Sequence, residues 1–334
     1  MYKVVVEAFG GSDRLQIIEQ PDPTPDPQQV IVKLTSIGMN QADLMARRGE
    51  YKLISGNPPF TPGIESGGYI VAVGEQVTDR FVGQRVILSL DAPSANGIGR
   101  GTYQSHFATT ANRTIPVPDG VPDELLGALW LAYLTAWGCL VWQQQLQAGQ
   151  TVLLPAASSS VAIAASQVVK HYGGIAIGTT TSPSKVEALQ AMPEAKYDHL
   201  VVTRDRDWWR DIKRLTGGKG VNIIFDPVAA GAFLNQEIRI LANHGTLWVY
   251  GLLGKPDVVD VTPLIRKSAA IRGWLLNVMS GSEQEYPGYQ HILEAIANGT
   301  YQLPIAGKFS LRDVRQAQDV MEQGQHIGKL ILIP

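Results

Sequence analysis

Along residues 151–185 the pattern of apolar and polar positions changes period within a few residues at a time. Residues 151–154 (Thr-Val-Leu-Leu) are a short apolar run that suits a buried parallel strand. A turn of small residues follows, Ala156-Ala157-Ser158-Ser159-Ser160. Val161, Ala164, Ala165, Val168 and Val169 then recur at helical spacing, and Gly173-Gly174 stop that helix. Ile175-Ala176-Ile177 form a second short strand. Strand, turn, helix and strand make one βαβ unit, and right-handed crossover makes its strands neighbours in a parallel sheet. The alternation continues to residue 255, with helices at 185–192, 208–215 and 234–241 and strands at 200–203, 221–226 and 246–251. This is a doubly wound α/β pattern.

Residues 1–118 read differently. Segments 2–8, 30–37, 68–74 and 85–90 are strand-like, rich in Val and Ile and bounded by turn residues. Pro21, Pro23, Pro25 and Pro27 mark an extended connector. Residues 41–48 suit a short helix, 57–63 a proline-rich loop and 97–101 an exposed loop. Residues 122–147 are helical in pattern, with Pro122 near the start. Beyond 263 the character is mixed, with helices expected at 290–297 and 311–323 and a final strand at 329–333. A β-rich part thus precedes the βαβ region, and the chain returns to it afterwards.

Composition narrows the class. A length of 334 residues suits two domains, and 45% apolar with 17% charged residues suits a large buried core. The net charge of −2, without any basic run, argues against nucleic acid or an anionic membrane as the main partner. The single cysteine, Cys139, excludes an internal disulfide framework and a multi-cysteine zinc site. That fits a reducing compartment, and the opening MYKVVVEAFGG lacks the build of a signal peptide, so a cytoplasmic protein is expected. Residues 125–169 contain no Asp, Glu, Lys or Arg, and 126–142 are almost wholly apolar. A membrane span needs about 20 apolar residues. This run ends in Gln143-Gln144-Gln145, so a buried helix is expected.

The small-residue turn is the first candidate site. A helix N-terminus presents free N–H groups and a positive dipole end, which bind a pyrophosphate if side chains let it approach. The glycines of the usual fingerprint are absent; Ala156, Ser159 and Ala162 hold the spacing A-x-x-G-x-x-G, all of them small. The alternative is a tight βα turn without ligand. An NAD site places an acid at the end of the second strand for the ribose 2′-hydroxyl. Here stand Gly178-Thr179-Thr180-Thr181-Ser182 and then Lys185, which could bind a 2′-phosphate. NADP(H) is favoured over NAD(H); otherwise Lys185 is an ordinary solvated lysine.

The order of these pieces, with GMNQADLMARRGEY (38–51), PGIESGGYIVAVG (62–74), LTAW (134–137), AASSSVA (156–162), TTTSPSK (179–185), TGGKGVNIIFDPV (216–228), GTLWVYG (245–251), IRGW (271–274) and IGKLIL (327–332), resembles the medium-chain dehydrogenase/reductase superfamily. Within it the chain resembles the zinc-free quinone oxidoreductase branch, related to the enoyl-thioester reductases, over essentially its whole length. The resemblance implies an α/β architecture: a GroES-like β-rich catalytic domain (1–120 and 264–334) and a Rossmann dinucleotide-binding domain (121–263) with a doubly wound parallel sheet. It implies an active cleft between them and a homodimer formed by edge strands near 245–276. Zinc-dependent members ligate the metal with a Cys, a His-Glu pair and a further Cys. Here Asn40, Ile64 beside Glu65, and Leu131 hold those places, so no catalytic zinc is expected.

Without a Lewis acid, suitable substrates already carry an electrophilic carbon: a quinone, or a C=C conjugated to a carbonyl. The resemblance makes Tyr51 the candidate acid or oxyanion donor, or else a tyrosine packing on the wall. Asn40 could orient the nicotinamide or substrate carbonyl, or cap a turn. Ser158, Ser159, Ser160 and Val161 would line the pyrophosphate, and Thr180, Ser182 and Lys185 would meet the 2′-phosphate. Thr135 stands for the family's nicotinamide-side threonine, and Thr203 for a cofactor-contacting tyrosine. Tyr250, Gly251 and Leu252 would lie near a ribose, and Lys329 would face the cofactor or stand at a strand edge. Asp43 and Glu65 are read as buried or capping groups. Tyr133 could face cleft or core. Arg47, Arg48 and Lys52 hint at a CoA or carrier-protein phosphopantetheine, and hence at enoyl-thioester reduction. A non-catalytic binding protein on a dehydrogenase fold is the other alternative.

Overall fold

In the computed structural model, residues 1–90, 101–205 and 207–334 are described; most of the loop expected at 97–101 falls outside them. The chain divides into two units. One comprises Met1–Leu131, Ser280–Thr300 and Pro304–Pro334, the other Ala132–Met279 with Tyr301–Leu303.

The first unit begins with β1 (Tyr2–Val6) and β2 (Leu15–Glu19), an antiparallel pair. It continues through β3 (Gln29–Gly38), α1 (Gln41–Arg48), α2 (Lys52–Ser55), β4 (Glu65–Val73), β5 (Arg85–Leu88), β6 (His106–Thr110) and β7 (Thr114–Pro116). Within the α3 helix (Trp130–Trp137), after Leu131, the chain enters the second unit. There β8 (Thr151–Leu154), α4 (Ser160–His171), β9 (Ile175–Thr180), α5 (Pro183–Ala191), β10 (His199–Val202), α6 (Trp208–Leu215), β11 (Val221–Asp226), α7 (Gly231–Ile240), β12 (Leu241–Val249), α8 (Thr262–Lys267) and β13 (Ala270–Gly273) alternate. The return to the first unit brings α9 (Glu285–Ala297), β14 (Ile305–Ser310), α10 (Val314–Gln323) and β15 (Lys329–Ile333).

The first unit's main sheet runs β14-β15-β3-β4-β5-β7, with β6 also on β3. β3 is its spine: Val30, Val32 and Leu34 alternate into a core shared with Ile70, Val86 and Leu332. The register sets Ile331 opposite Gly38 and Gly38 opposite Glu65, so three distant segments meet at one place. Gly38 is required there. A Cβ would stand 2.4 Å from the Gly127 carbonyl oxygen, 2.5 Å from Glu65 Oε2 and 2.9 Å from Lys329 Cε.

The second unit's sheet is all parallel, in the order β10-β9-β8-β11-β12-β13. Numbered from its first strand this is 3-2-1-4-5-6, the order of a dinucleotide-binding sheet, with its reversal point between β8 and β11. Residues 264–279, expected with the β-rich part, lie in this unit because β13 is its sixth strand. The single helix expected at 122–147 is instead a 3₁₀ turn (Asp123–Leu125), α3, and a π turn (Gly138–Gln143). Gly127 interrupts it by packing on β3, where its N–H donates to Ser36 Oγ at 2.6 Å. The apolar run is core, as expected: Leu126, Leu129, Trp130, Tyr133, Leu134 and Cys139 are fully buried. Among the described residues no helix is long and apolar enough to cross a membrane.

Candidate functional site

In the second unit the carboxyl ends of the strands gather the cofactor candidates. β8 is buried at Val152, Leu153 and Leu154, which anchors the turn that follows it. Ala156 there takes the left-handed conformation, φ +53°, that glycine would otherwise supply, at a cost on the order of 1 kcal/mol. The turn is pinned from below. The Ala157 N–H donates to the Thr179 carbonyl at 2.9 Å, and the Tyr197 hydroxyl donates to the Ala157 carbonyl at 2.8 Å. Ser159 is the N-cap of α4, its Oγ accepting from the Ala162 N–H at 3.2 Å. A hydroxyl that accepts in this way keeps its own proton to donate. Ser160 and Val161 open the helix.

Lys185 is not a freely solvated lysine. From α5 its ammonium reaches back to Ser158 Oγ at 3.1 Å, joining the ends of β8 and β9, and burial pulls its pKa down. Ser182 joins the same mouth, its N–H on Thr180 Oγ1 at 3.2 Å and its Oγ 2.9 Å from Ser184 Oγ. Thr203 extends the β10 edge, its N–H on the Thr180 carbonyl at 2.9 Å. Serine, threonine and lysine side chains therefore converge at the ends of β8 and β9. The residues present fit a phosphorylated dinucleotide: a helix N-terminus with small side chains at its mouth, and a cation and hydroxyls where an acid would repel a 2′-phosphate.

Across the reversal point, Asp226 ends β11. Its carboxylate accepts from the N–H groups of Val228 and Ala229, both at 2.7 Å, and so fixes the loop after β11. Tyr250 lies alongside, its ring stacked on Phe225 with centroids 4.0 Å apart. At Gly251 a Cβ would stand 2.8 Å from the Pro227 carbonyl oxygen, so a bare backbone is needed for the two loops to approach. Leu252 is exposed. Thr135 sits nearly buried on α3. Tyr133 faces the core, stacked on Tyr301 at 4.8 Å with its hydroxyl on Gln167 Oε1 at 3.0 Å.

In the first unit a buried polar cluster stands where the register of β3, β4 and β15 converges. Lys329, only 1% exposed, donates to Asn40 Oδ1 and to Glu65 Oε2, both at 2.7 Å. Glu65 Oε1 accepts from the Leu131 N–H at 2.9 Å. Lys329 is thus neither at a strand edge nor solvated; its ammonium is held by Asn40 and Glu65. Asn40 is held at both ends, Nδ2 donating to the Gly38 carbonyl at 3.2 Å. Of the positions matched to zinc ligands, Asn40 and Glu65 are brought together around an ammonium, and Leu131 joins them only through its N–H on Glu65. An amide, a leucine backbone and a lysine do not fit zinc, and among the described residues no group of three metal-ligating side chains occurs.

Beside this cluster, Asp43 is the buried acid of α1's cap, accepting from the Asn40 N–H at 2.8 Å and from the Tyr103 hydroxyl at 3.1 Å. Burial, above all, pushes its carboxyl up to about 7. A folded-state pKa raised above the unfolded value means stability present at low pH and lost as pH rises through about 7. We expect the melting temperature of Asp43→Asn to fall less between pH 5 and pH 8 than that of the parent chain; parallel pH profiles would contradict this.

Tyr51 precedes α2, half buried, and its hydroxyl makes no hydrogen bond among the described residues; burial raises its pKa. The basic residues near it each have a partner. Arg47 is buried and paired with Glu322, Arg48 shares that carboxylate at 2.6 Å, and the Lys52 ammonium lies 5.2 Å over the Phe9 ring. Sequence reasoning missed the role of Asp226 as a loop clamp and of Trp274, whose indole N–H donates to the Thr135 carbonyl at 3.0 Å. The Asp-Pro after a strand was a signal for the first; the second bond spans 139 residues and leaves none.

Comparison with known proteins agrees with this geometry. Residues 26–119 match the alcohol dehydrogenase GroES-like domain and residues 160–295 the zinc-binding dehydrogenase domain. The chain is 30% identical to a phenolphthiocerol/phthiocerol polyketide synthase of Mycobacterium tuberculosis across 99% of its own length, but spans only 15% of that protein. It is 28% identical to the 2-haloacrylate reductase of a Burkholderia species, covering 99% of this chain and 98% of that one. It is likewise 28% identical to rat quinone oxidoreductase over 100% and 98% of the two chains. Among solved structures, a mycobacterial protein in complex with NADPH superposes with a TM-score of 0.88 at 27% identity over 100% of both chains. With a GroES-like unit and a 3-2-1-4-5-6 parallel sheet, matched along nearly the whole chain, this protein belongs to the medium-chain dehydrogenase/reductase superfamily, in its quinone-oxidoreductase-like branch.

Proposed function

We propose that this chain is an NADPH-dependent reductase that acts on a quinone or on the C=C of an α,β-unsaturated carbonyl, without a catalytic metal. The observation that carries the cofactor choice is the Lys185 ammonium on Ser158 Oγ at 3.1 Å, at the end of a strand that closes in threonines instead of an acid. Bound there, NADPH supplies the hydride. Ser158, Ser159, Ser160 and Val161 hold the pyrophosphate at the α4 N-terminus, and Thr180, Ser182 and Lys185 hold the 2′-phosphate. Thr135, Thr203 and Tyr250 to Leu252 line the rest of the cofactor. As negative charge builds on the substrate oxygen, the Tyr51 hydroxyl, protonated at neutral pH as any phenol is, donates to it. Lys329 acts through Asn40, fixing its amide, and its own contacts argue against a direct cofactor contact.

Enoyl-thioester reduction is the second reading, supported by similarity to a polyketide synthase along 99% of the chain. Steady-state NADPH oxidation tests both, with a naphthoquinone, an aliphatic enone, an enoyl-CoA and, in reverse with NADP, a secondary alcohol. We expect turnover of the quinone or enone and none of the alcohol. Preference for the enoyl-CoA would select the second reading, and alcohol oxidation would reject the metal-free one.

The same reading includes a homodimer that pairs β13, the edge strand of the parallel sheet. Val258, Val261, Ile265 and Val278, all in the segments flanking β13, are more than half exposed. Sedimentation velocity should give a two-chain particle for the parent protein and single chains for Ile265→Asp; a monomeric parent at micromolar concentration would remove the dimer.

A further inference from the structure

Trp274 follows β13 directly and belongs to none of the segments assigned to cofactor or substrate. It is nearly buried, at 6% exposure, yet one of its N–H groups is committed to such a segment and the other to the residue just before one. Its backbone N–H donates to the Val249 carbonyl at 2.8 Å, at the end of β12 immediately before Tyr250. Its indole N–H donates to the Thr135 carbonyl at 3.0 Å, on α3. One residue therefore spans the interval between Thr135 and the segment from Tyr250 to Leu252.

The indole is also gripped. Gly138 lies one turn beyond Thr135 on the same face of the helix. A Cβ there would stand 2.8 Å from Trp274 Cζ2 and 2.5 Å from Met279 Sδ, so the ring occupies the space that a side chain would take. Trp142 closes on it edge-on, centroids 6.3 Å apart and planes at 79°. Gly138 and Trp142 both belong to the π turn, a rare distortion that is frequent at functional sites. The ring, its cradle and its donor are thus built as one fixed piece.

We propose that Trp274 is a positioning residue that sets Thr135 against the nicotinamide end of the bound dinucleotide. This rests on the reading of Thr135 as a nicotinamide-side contact. Its effect is confined to that end, because the phosphate mouth at Ser158 and Lys185 is held by separate bonds to Ala157 and Thr180.

Two ligands separate the ends: NADPH, and 2′-phospho-ADP-ribose, which carries the same phosphates without the nicotinamide. Binding is measured by calorimetry on the purified full chain with Trp274→Phe and Thr135→Val. Loss of a single positioned hydrogen bond corresponds to about a tenfold change. We expect both variants to weaken NADPH by about that factor, to leave 2′-phospho-ADP-ribose unchanged and to lower kcat more than they raise KM. If Thr135→Val weakens NADPH and Trp274→Phe does not, the positioning proposal is overturned while the Thr135 reading stands. If Thr135→Val leaves NADPH binding and kcat unchanged, the Thr135 reading falls and the proposal with it. Equal weakening of both ligands by Trp274→Phe would make Trp274 a general support of the fold and also overturn it. Should the phenylalanine variant not fold, 3-benzothienylalanine placed at position 274 keeps the ring shape, removes the N–H and is read in the same way.

Discussion

Replacing Lys329 by methionine is expected to destabilise the β-rich unit by about 3–5 kcal/mol, because it leaves a buried carboxylate without its counter-charge. Lys329 and Glu65 are 1% and 0% exposed and 2.7 Å apart. In water such a pair contributes little. Here the cost of desolvating Glu65 is met, among the described residues, by the Lys329 ammonium and the Leu131 N–H. Methionine nearly matches the volume of lysine, so the loss is electrostatic and not a cavity. The double variant Lys329→Met with Glu65→Gln removes both charges and should recover most of the stability. Urea unfolding of the three proteins and the parent decides the matter. A loss below about 1 kcal/mol in the single variant would mean that Glu65 is neutral or hydrated, and the cluster would not be an ion pair. The same variant frees the Asn40 amide, so kcat should fall in whatever fraction remains folded.

Tyr51→Phe is expected to lower kcat by about 10²–10⁴ while leaving NADPH binding unchanged. The phenol is half buried and makes no hydrogen bond among the described residues, which leaves a donor in need of an acceptor. Phenylalanine keeps the ring and its packing and removes only that donor. The loss should be largest for enones, whose reduction requires protonation, and smallest for quinones with strongly stabilised reduced forms. Presteady-state hydride transfer and steady-state turnover, compared across the two substrate types, read this directly. Unchanged turnover of both would return Tyr51 to a packing role and leave proton delivery to water.

Much of this was legible in the sequence, for physical reasons that differ from element to element. The parallel sheet announced itself because a buried strand, a small-residue turn and an amphipathic helix are each local signals, and crossover handedness then fixes their neighbours. The small-residue turn after β8 was legible by side-chain size, although Ala156 had to accept a left-handed backbone that its sequence does not advertise. The missing strand β13 hides in a short run, Ala270–Gly273, that is half exposed and so lacks a strong period. The π turn after α3 keeps the apolar content of a helix, and composition does not distinguish the two. The buried ion pair was not legible. Lys329 stands in a strand that reads as an edge, and its partners lie 289 and 264 residues away. Arg47 and Arg48 misled for the same reason, since Glu322, which pairs with both, is on the distant helix α10.

The measurement that bears most directly on the cofactor assignment is a calorimetric titration of the parent chain and of Lys185→Ala with NADPH and with NADH. We expect NADPH to bind the parent more tightly than NADH. We expect Lys185→Ala to lose about 10- to 100-fold in NADPH affinity, the weight of a charged hydrogen bond to phosphate, with NADH affinity unchanged. Equal affinities for the two dinucleotides in the parent chain, or no binding of either, would contradict the assignment of Ser158, Thr180, Ser182 and Lys185 as a 2′-phosphate site and the reductase reading that depends on it.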